Sequence, residues 1–394
     1  MPRTAKPIPR RADALYSRAR MRRTLPTLVA VAACAALVAS AVAFSTGPAL
    51  RKPLVEQVRS TLETRYYRQL PPSILGHPTV ETIIAALDDP YTAYLAPAEV
   101  NELHQRVEGR YSGIGATVTP RGSGLVVTSA PPGPARAAGV RPGDLIVTID
   151  GVAAAQLSAE TAIEAIIGPK GTAVALGVLR EGDRLAFRIV RADVVSAPVR
   201  ASVVVHYGRR IGLLRIYRFT VGTSERVRRA ALELRAKGVT GYVLDLRSNP
   251  GGLLEEAVGV ASVFLDGDIV TRINSAHEPL RVLRAGGSAL RPRVPVVVVV
   301  NRYSASSSEV VAAALQENHR AFVVGEPTFG KALVQAVERL EGGAALRLTA
   351  ARYLTPRGRD ISGAGITPDV FAVDDPSTLA NEALPEALAV LPVP

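Results

Sequence analysis

Hydrophobic and polar positions follow three different patterns along this chain of 394 residues. Residues 53–70 and 79–87 place apolar residues at helical spacing, which predicts a small helical region that ends near His104. The sequence DDPYTAYL, at residues 88–95, follows the second of these helices and predicts a turn that connects two helices. From residue 109 to residue 192 short apolar strands alternate with Gly/Pro turns, which predicts a small β-barrel with two helices.

Beyond residue 199 the pattern changes to strand, helix and strand, in the segments RIGLLRIYRF, TSERVRRAALELRAKG and GYVLDL. Residues 253–265 have helical spacing, and the run VPVVVVV at residues 294–300 predicts a strand buried on both faces. Crossovers of this kind predict a mixed sheet with helices packed on it. The last residues predict a helix and a tail. Taken together, the patterns of the three regions predict an α+β fold class with several domains.

The N-terminal part of the chain has the pattern of an export segment. Residues 25–44 form an uncharged apolar run of 20 residues, long enough to cross a bilayer core of about 30 Å. Residues 1–23 carry +7 of the formal net charge of +12, which predicts a cytoplasmic N-terminus and export of the rest. A retained anchor and a cleaved signal sequence both fit, since AVA at residues 41–43 matches a cleavage site. Cys34, the single cysteine, lies in this run, which excludes disulfides and cysteine-bound metals from the exported part.

The remaining positive charge forms no basic stripe interleaved with aromatic residues, which argues against a nucleic-acid partner. No metal or organic cofactor is implied by the motifs of the chain. The changes of pattern predict a basic cytoplasmic tail (1–24), a transmembrane anchor or signal segment (25–44), an N-terminal helical region (50–104), a barrel domain (105–192), a mixed α/β core (193–375) and a C-terminal helix with its tail (376–394).

The barrel contains a glycine-bearing loop, YSGIGA, in which Gly113, Ile114, Gly115 and Ala116 present consecutive backbone N–H groups. Such a loop can bind the terminal carboxylate of a peptide while the adjacent strand edge pairs with the peptide backbone. An ordinary tight turn is the alternative explanation of the two glycines. The downstream AGVRPGDLIVTIDG, at residues 138–151, favours peptide binding, and both stretches resemble a PDZ domain in its bacterial, circularly permuted form.

A serine-rich stretch, NRYSASSSEVVAAAL at residues 301–315, connects the buried valine run to an Ala/Val-rich helix. A polar side chain at such a corner is held rigidly, and the free N–H groups at the start of the helix favour a developing negative charge. Ser306 is therefore a candidate nucleophile. The spacing Ser306-x-x-Glu309 also matches a capping box, which is a purely structural alternative.

A nucleophilic serine needs a base, and the five histidines are poorly placed to provide one. A lysine can act as the base when burial lowers its pKa, as in the Ser-Lys variants of the catalytic triad. Lys331, in VVGEPTFGKALVQAV, is a candidate because it is one of very few lysines in the chain and precedes apolar residues. An exposed lysine beside a glycine turn is the alternative.

Residues 301–335 resemble the active-site block of the carboxyl-terminal processing peptidases, and LDLRSNPGGLL at residues 244–254 resembles the second signature of that family. The order of helical region, PDZ domain and catalytic domain is also similar, and the likeness covers residues 50–375. Ser307 is a departure, because the family usually has alanine there. The resemblance implies a mixed α/β peptidase core of the crotonase/ClpP-like type.

The resemblance also implies a role for individual residues. Ser306 is expected to attack the scissile carbonyl and form an acyl-enzyme, and Lys331 is expected to be the general base. Gln335 lies one helical turn or two strand steps from the lysine, where its amide oxygen can orient the ammonium.

The same resemblance assigns the oxyanion hole to the backbone N–H of Ser307 and to one N–H of the NPGG turn, that of Gly251 or Gly252. Three further residues of the two signatures are assigned to support, because a helix cap and an Asp-x-Arg pair at a strand end explain them equally well. They are Glu309, Asp245 and Arg247.

Together these predictions describe an exported serine endopeptidase of the cell membrane, or a secreted or periplasmic one if the N-terminal segment is cleaved. Its PDZ domain is expected to recognise protein C-termini and to gate cleavage by a Ser-Lys dyad. The expected partners are protein or peptide substrates and a membrane, and a homo-oligomer is left open. Two alternatives are an inactive PDZ-containing peptide-binding or chaperone protein on the same scaffold and a crotonase-like acyl-CoA enzyme, against which the PDZ unit and the export segment argue.

Overall fold

The structure of the protein is a computed structural model that describes residues 52–157, 159–195, 197–287, 289–290, 294–373 and 383–391. All of these residues belong to one unit of the chain, Lys52–Pro394. The predicted basic tail and the apolar run of residues 25–44 lie outside the described residues. Among the helices that are described, none has the length and apolar character that a membrane span requires.

The N-terminal helical region contains four helices and one short strand. They are α1 (Leu54–Arg65), α2 (Pro72–Leu75), α3 (Val80–Ala86), β1 (Ala93–Leu95) and α4 (Pro97–Val107). The expected connecting turn at residues 88–95 is only partly right, because its last residues form β1, which pairs antiparallel with residues 345–347 of the core. Buried side chains of α1 and α3, among them Leu62 and Ile83, pack against Leu346 and Leu348 of the same core strand. The helical region is therefore attached to the core by both backbone pairing and apolar packing.

The barrel domain follows the predicted pattern of short strands and two helices. Its elements are β2 (Arg110–Gly113), β3 (Thr117–Arg121), β4 (Gly124–Ser129), α5 (Pro134–Ala137), β5 (Leu145–Ile149), β6 (Val152–Ala153), α6 (Ala159–Ile166), β7 (Ala173–Arg180), β8 (Asp183–Val190) and β9 (Ala192–Val195). The strands are ordered β3-β4-β5-β7-β8, with β6 on β5, and β2 pairs separately with β9. Ile146, Ile149, Val174 and Leu176 fill the centre of this domain and are at most 1% exposed.

The core contains the remaining strands and helices. They are β10 (Val199–His206), β11 (Arg209–Ile216), α7 (Thr223–Ala236), β12 (Gly241–Asp245), α8 (Leu254–Ser262), β13 (Ile269–Asn274), β14 (Arg281–Arg284), β15 (Val296–Val300), α9 (Ser307–Glu317), β16 (Phe322–Gly325), β17 (Leu333–Arg339), β18 (Ala345–Leu354), β19 (Val370–Phe371) and α10 (Ala383–Val390).

A six-stranded mixed sheet, ordered β10-β11-β12-β15-β16-β19, forms the centre of the core. The β10–β11 pair is antiparallel and the other pairs are parallel. All five valines of β15 are buried, as predicted, because side chains of α7, α8 and α9 pack on one face of the sheet and those of α10 on the other. Since β12 and β15 are parallel neighbours, the loops that follow them leave the sheet on the same side, at the carboxyl ends of the strands.

A second sheet has five strands, ordered β1-β18-β13-β14 with β17 on β18. Lys331 precedes β17 by two residues, and Gln335 lies within β17. The chain therefore delivers the candidate nucleophile from the first sheet and the candidate base from the second.

Candidate active site

The candidate nucleophile lies at a strained corner between β15 and α9. Ser306 is the residue before the first turn of α9 and has φ 57° and ψ −118°. Positive φ is costly for a residue with a side chain and is found mainly where the surrounding structure enforces it, often at active sites. The Glu309 half of the predicted capping box is present, because the Ser306 N–H donates to the Glu309 carboxylate at 2.8 Å. The Ser306 side chain makes no capping hydrogen bond, since the Glu309 N–H donates to the Ser306 carbonyl at 2.8 Å, so the capping box does not use the Ser306 hydroxyl.

The other serines of the stretch have structural contacts. We call residues 246–252, which follow β12, the glycine loop. Three serine hydroxyls donate to carbonyl oxygens of this loop: Ser304 to Leu246, Ser307 to Gly252 and Ser308 to Asn249, each at 2.9 Å. The density of serines is thereby explained, because these three fix the corner to the glycine loop while the Ser306 side chain points elsewhere. Ser307, the departure from the family pattern, uses its hydroxyl for this purpose.

The phenol of Tyr353, in β18, lies within interaction distance of the Ser306 side chain. The same phenol donates to the backbone carbonyl of Lys331, and the Tyr353 N–H donates to the carbonyl of Ala332 at 3.0 Å. Burial raises the pKa of the Tyr353 phenol well above its usual value, against a smaller lowering by the interaction with Ser306. Tyr353 is therefore a neutral group that contacts both the candidate nucleophile and the backbone of the candidate base.

Glu309 joins the corner to the segment that carries the candidate base. Its side chain is fully buried, and one carboxylate oxygen accepts the N–H groups of Ser306 and Lys331 at 2.8 and 2.9 Å. The other oxygen accepts the Thr328 hydroxyl and the Gly330 N–H, both at 2.6 Å. A single carboxylate thus fixes two parts of the chain, and both candidate catalytic residues, to the first turn of α9.

The glycine loop passes the corner so closely that no side chain fits. A Cβ on Gly251, which has φ 99°, would lie 2.7 Å from the Ser306 Cβ and 3.0 Å from the Ser307 nitrogen. Among the described residues, the N–H groups of Ser307 and Gly252 donate to no acceptor, whereas the Gly251 N–H donates to the Asn249 side chain at 2.9 Å. Of the two glycines considered from the sequence, Gly252 is the one with a free donor beside the corner.

Lys331 is half-buried, and its Nζ lies 4.3 Å from the centroid of the Tyr91 ring, in the turn before β1. Gln335 pairs with Thr349 across β17 and β18, next to a register shift. Its side-chain nitrogen is buried and has no hydrogen-bond partner in the described part of the chain. The orientation of the Lys331 ammonium by the Gln335 oxygen stays a prediction.

Asp245 and Arg247 form a buried ion pair at the end of β12. Two guanidinium nitrogens of Arg247 donate to the two Asp245 oxygens at 2.9 and 2.7 Å, and the Arg247 N–H adds a bond at 3.1 Å. Burial alone would raise the pKa of Asp245, but the charge and hydrogen bonds of Arg247, with the charge of Arg215, hold it below its usual value. The pair fixes the first residues of the glycine loop.

The predicted peptide-binding loop follows β2 in the barrel domain. Gly113, Ile114 and Gly115 are buried, and the N–H groups of Ile114, Gly115 and Ala116 have no acceptor among the described residues. Gly115 has φ 75°, and a Cβ there would lie 3.5 Å from the Val194 side chain of β9. The loop therefore has unused donors but lies beneath β9.

Sequence reasoning missed several residues at the site. Tyr353 lies in no quoted motif, and Tyr91 lies in the DDPYTAYL stretch, which was given only a connecting role; the positions of both follow from the pairing of β1, β17 and β18. Asn249 lies within the quoted LDLRSNPGGLL stretch but was given no role, although its carbonyl and side chain bind the corner and Gly251. Within the described residues, no group of three or more His, Cys, Asp or Glu side chains is arranged to hold a metal ion.

The fold and the site together are those of a serine peptidase that carries a PDZ domain. Residues 210–372 match the model of peptidase family S41, and residues 125–180 match that of the PDZ domain. The chain therefore belongs to peptidase family S41, and within it to the serine C-terminal processing peptidases, as the following similarities show.

The carboxyl-terminal-processing protease of Synechocystis sp. is 36% identical over 296 residues, which are 74% of this chain and 69% of that protein. The chloroplastic C-terminal processing peptidase of Tetradesmus obliquus is 36% identical over 322 residues, 77% of this chain and 68% of that protein. Among solved structures, the photosystem II D1 C-terminal processing protease is similar with a TM-score of 0.61 at 31% identity, covering 86% of this chain and 96% of that one.

Proposed function

We propose that this chain cleaves protein substrates near their C-termini with a catalytic dyad of Ser306 and Lys331. The observation that supports the dyad is the buried Glu309 carboxylate, which accepts the backbone N–H groups of both residues. Tyr353 adds a second connection, because its phenol contacts the Ser306 side chain and the Lys331 carbonyl. Two segments that are separate in the sequence are thereby held at one corner.

In the proposed reaction, the neutral amine of Lys331 takes the proton of the Ser306 hydroxyl as the serine oxygen forms a bond to the scissile carbonyl carbon. The negative charge that develops on the carbonyl oxygen is stabilised by the N–H groups of Ser307 and Gly252, which donate to no described acceptor. Loss of one such donor costs on the order of 10² to 10³ in rate. The Lys331 ammonium then gives its proton to the leaving amine, and an acyl-enzyme remains on Ser306.

Water then hydrolyses the acyl-enzyme, with Lys331 acting as the base toward water and as the acid toward the serine oxygen. Lys331, again neutral, takes a proton from the water as the water oxygen attacks the ester carbon, and it returns this proton to the serine oxygen. The same two backbone donors serve both steps, since both pass through an oxyanion at the same place. Gln335, one residue past the register shift in β17, is proposed to hold the ammonium between these transfers.

The test is cleavage of casein and of a reporter protein with an apolar C-terminal tail. Ser306→Ala and Lys331→Ala are expected to lower kcat/KM on the order of 10³-fold or more. Ser123→Ala and Lys237→Ala, at exposed positions outside the site, are matched controls expected to retain the wild-type rate. Mass spectrometry after an acid quench should find the acyl adduct on Ser306. A wild type that binds the tailed reporter without cleaving it would favour the inactive peptide-binding alternative.

The PDZ domain is proposed to bind the C-terminal carboxylate of the substrate through the loop of residues 113–116. The support is the set of unused N–H groups in that loop. Because the loop lies beneath Val194 of β9, peptide binding is proposed to be coupled to movement of β9 and so to gating of the active site. Deletion of residues 109–192 should reduce cleavage of tailed substrates, and full activity of the shortened chain would contradict the gating.

Export and membrane attachment are proposed on the sequence pattern of residues 1–44, namely an uncharged run of 20 residues behind a basic tail. The catalytic domain is then extracytoplasmic. Cell fractionation with N-terminal sequencing of the mature protein distinguishes a retained anchor from a cleaved signal. A full-length chain in the cytosolic fraction would contradict export in either form.

A further inference from the structure

The side-chain amine of Lys331 contacts the aromatic ring of Tyr91, which comes from a different part of the chain. Its Nζ lies 4.3 Å from the ring centroid of Tyr91, which belongs to the N-terminal helical region. The Glu309 carboxylate holds the backbone of Lys331 by accepting the N–H of the lysine at 2.9 Å. The N-terminal region, which the sequence suggested only as a helical lead-in, thus contacts the proposed base directly.

The Tyr91 ring is held in place by a network that ends on β18. The Asp89 carboxylate accepts the Tyr91 N–H at 3.0 Å and the hydroxyls of Thr92 and Thr349 at 2.7 Å. Arg347 donates to the Tyr91 carbonyl at 3.1 Å. Burial acts to raise the pKa of Asp89, but these hydrogen bonds hold it below its usual value, so the carboxylate stays ionised at neutral pH.

An aromatic ring does not treat the two forms of a lysine equally. The negative face of the ring attracts the ammonium and gives no comparable stabilisation to the neutral amine. A base must be neutral to accept a proton and becomes charged when it has accepted one. A ring in this position therefore favours the state of Lys331 that follows proton transfer from Ser306 and disfavours the state that precedes it.

We propose that Tyr91 is a positioning residue of the catalytic centre, whose ring holds the protonated side chain of Lys331 and thereby sets the pH above which the base is active. This inference rests on the proposed Ser306–Lys331 dyad. In each turnover the proton leaves the Ser306 oxygen, forms a bond to the Lys331 nitrogen while that nitrogen lies on the ring, and passes to the leaving amine.

Other titratable groups face this lysine from the neighbouring elements. Glu309 of α9 contacts its N–H, Tyr353 of β18 contacts its carbonyl, and Asp89 holds the N–H of Tyr91. Burial raises the pKa of Tyr353 and the hydrogen bonds of Asp89 lower its pKa, so neither group changes charge near neutral pH. The titration of the lysine is therefore also measured directly on its amine, which separates it from any contribution of Glu309 to the rate profile.

The experiment compares Tyr91→Leu, which keeps an apolar side chain but removes the ring, with Tyr91→Phe, which keeps the ring. Loss of the ring should lower the apparent pKa of the acid limb of kcat/KM by about 0.4 to 1.5 pH units. The leucine variant should therefore keep a larger fraction of its maximal rate at low pH than the wild type does. The phenylalanine variant should keep the wild-type midpoint, and so should Tyr207→Leu, at a tyrosine that is 91% exposed.

A second measurement follows the amine itself, without catalysis. In the Ser306→Ala background, competitive acetylation with acetic anhydride across pH gives the pKa of Lys331 by mass spectrometry, with exposed Lys237 as the internal reference. The leucine substitution should lower this pKa by the same amount, and the phenylalanine substitution should restore it. An unchanged or higher pKa of Lys331 in the leucine variant overturns the role of Tyr91. The proposed dyad is still supported in that case if the wild type is active and Lys331→Ala is inactive. Full activity of Lys331→Ala overturns the dyad and this inference together.

Discussion

Replacement of Glu309 by glutamine is the most direct test of how the site is assembled. The carboxylate is fully buried and accepts four hydrogen bonds, two on each oxygen. Glutamine has nearly the same shape, but one oxygen becomes an NH₂ group that donates and cannot accept. Whichever way the amide is turned, two of the four donors lose their acceptor.

The less costly orientation directs the NH₂ group toward Thr328 and Gly330. The Thr328 hydroxyl can reverse and accept, so one N–H, that of the partly buried Gly330, is left without a partner. Losing a hydrogen bond to a charged group costs about 1.5 to 3 kcal/mol, and the bonds that remain become weaker neutral ones. The expected local loss is about 2 to 4 kcal/mol, centred on the contact between the corner and the segment that carries Lys331.

Hydrogen exchange read by mass spectrometry measures this loss at the affected amides. Exchange in peptides covering residues 301–309 and 326–333 should be about 30- to 700-fold faster in Glu309→Gln, since each 1.4 kcal/mol is a factor of ten. The kcat for peptide cleavage should fall at least about tenfold with a smaller change in KM, because the dyad and not substrate binding is disturbed. Glu233→Gln, at an exposed position of α7, is the matched control. Unchanged exchange together with unchanged kcat would refute the role given to Glu309.

Three further substitutions test neighbouring parts of the site. Tyr353→Phe removes the phenol that contacts the Ser306 side chain and donates to the Lys331 carbonyl. Loss of the first contact should lower kcat about 2- to 13-fold, the value of one hydrogen bond, and the melting temperature should fall as well because the carbonyl loses its donor; an unchanged kcat counts against the contact with Ser306. Gly251→Ala should abolish detectable cleavage, whereas Gly182→Ala, with a similar φ of 96° and open space around it, should not, and equal activities would contradict the close approach. Asp245→Asn removes the charge opposite Arg247 and should lower the urea-measured free energy of unfolding by about 3 to 5 kcal/mol. The pKa of Asp245 is lower in the folded than in the unfolded protein, so the difference in unfolding free energy between wild type and Asp245→Asn should be complete above about pH 4. It should disappear as the pH falls through the pKa that Asp245 has in the folded protein. A difference that increases as the pH falls would contradict this account.

Much of the fold was predictable because the local patterns agree with the tertiary structure. The valine run of β15 has no polar position, and a strand of that composition is stable only between two packed layers, which the core provides. The strand hairpins of the barrel likewise follow from alternation and Gly/Pro turns. The turn at residues 88–95 was only partly predicted, because the edge of β18 decides that Ala93–Leu95 is a strand, and that edge is remote in the sequence.

In the site too, residues in local sequence patterns were predictable and residues placed by remote strand pairing were not. The sequence pointed to Ser306 and Glu309 because both lie in one short segment with a helix-start pattern, and to Lys331 because lysine is rare in this chain; their catalytic and supporting roles stay predictions. Tyr353 and Tyr91 were not found, since an aromatic residue in a strand or turn is ordinarily a packing residue and nothing local distinguishes these two. Their contacts with Ser306 and Lys331 depend on the register between β17 and β18 and on the position of the turn before β1.

The proposed catalytic groups come from two sheets, and this division has a consequence for how the site is held together. Ser306 and the N–H groups of Ser307 and Gly252 are attached to the six-stranded sheet, because three neighbouring serine hydroxyls donate to carbonyl oxygens of the glycine loop. The tyrosines that touch Lys331 and Ser306 belong to the five-stranded sheet or to the turn that leads into it. Glu309 and Tyr353 reach from one sheet to the other at this point, so loss of either contact would loosen the segment of the proposed base from the corner of the proposed nucleophile, while the N–H groups of Ser307 and Gly252 stay beside Ser306.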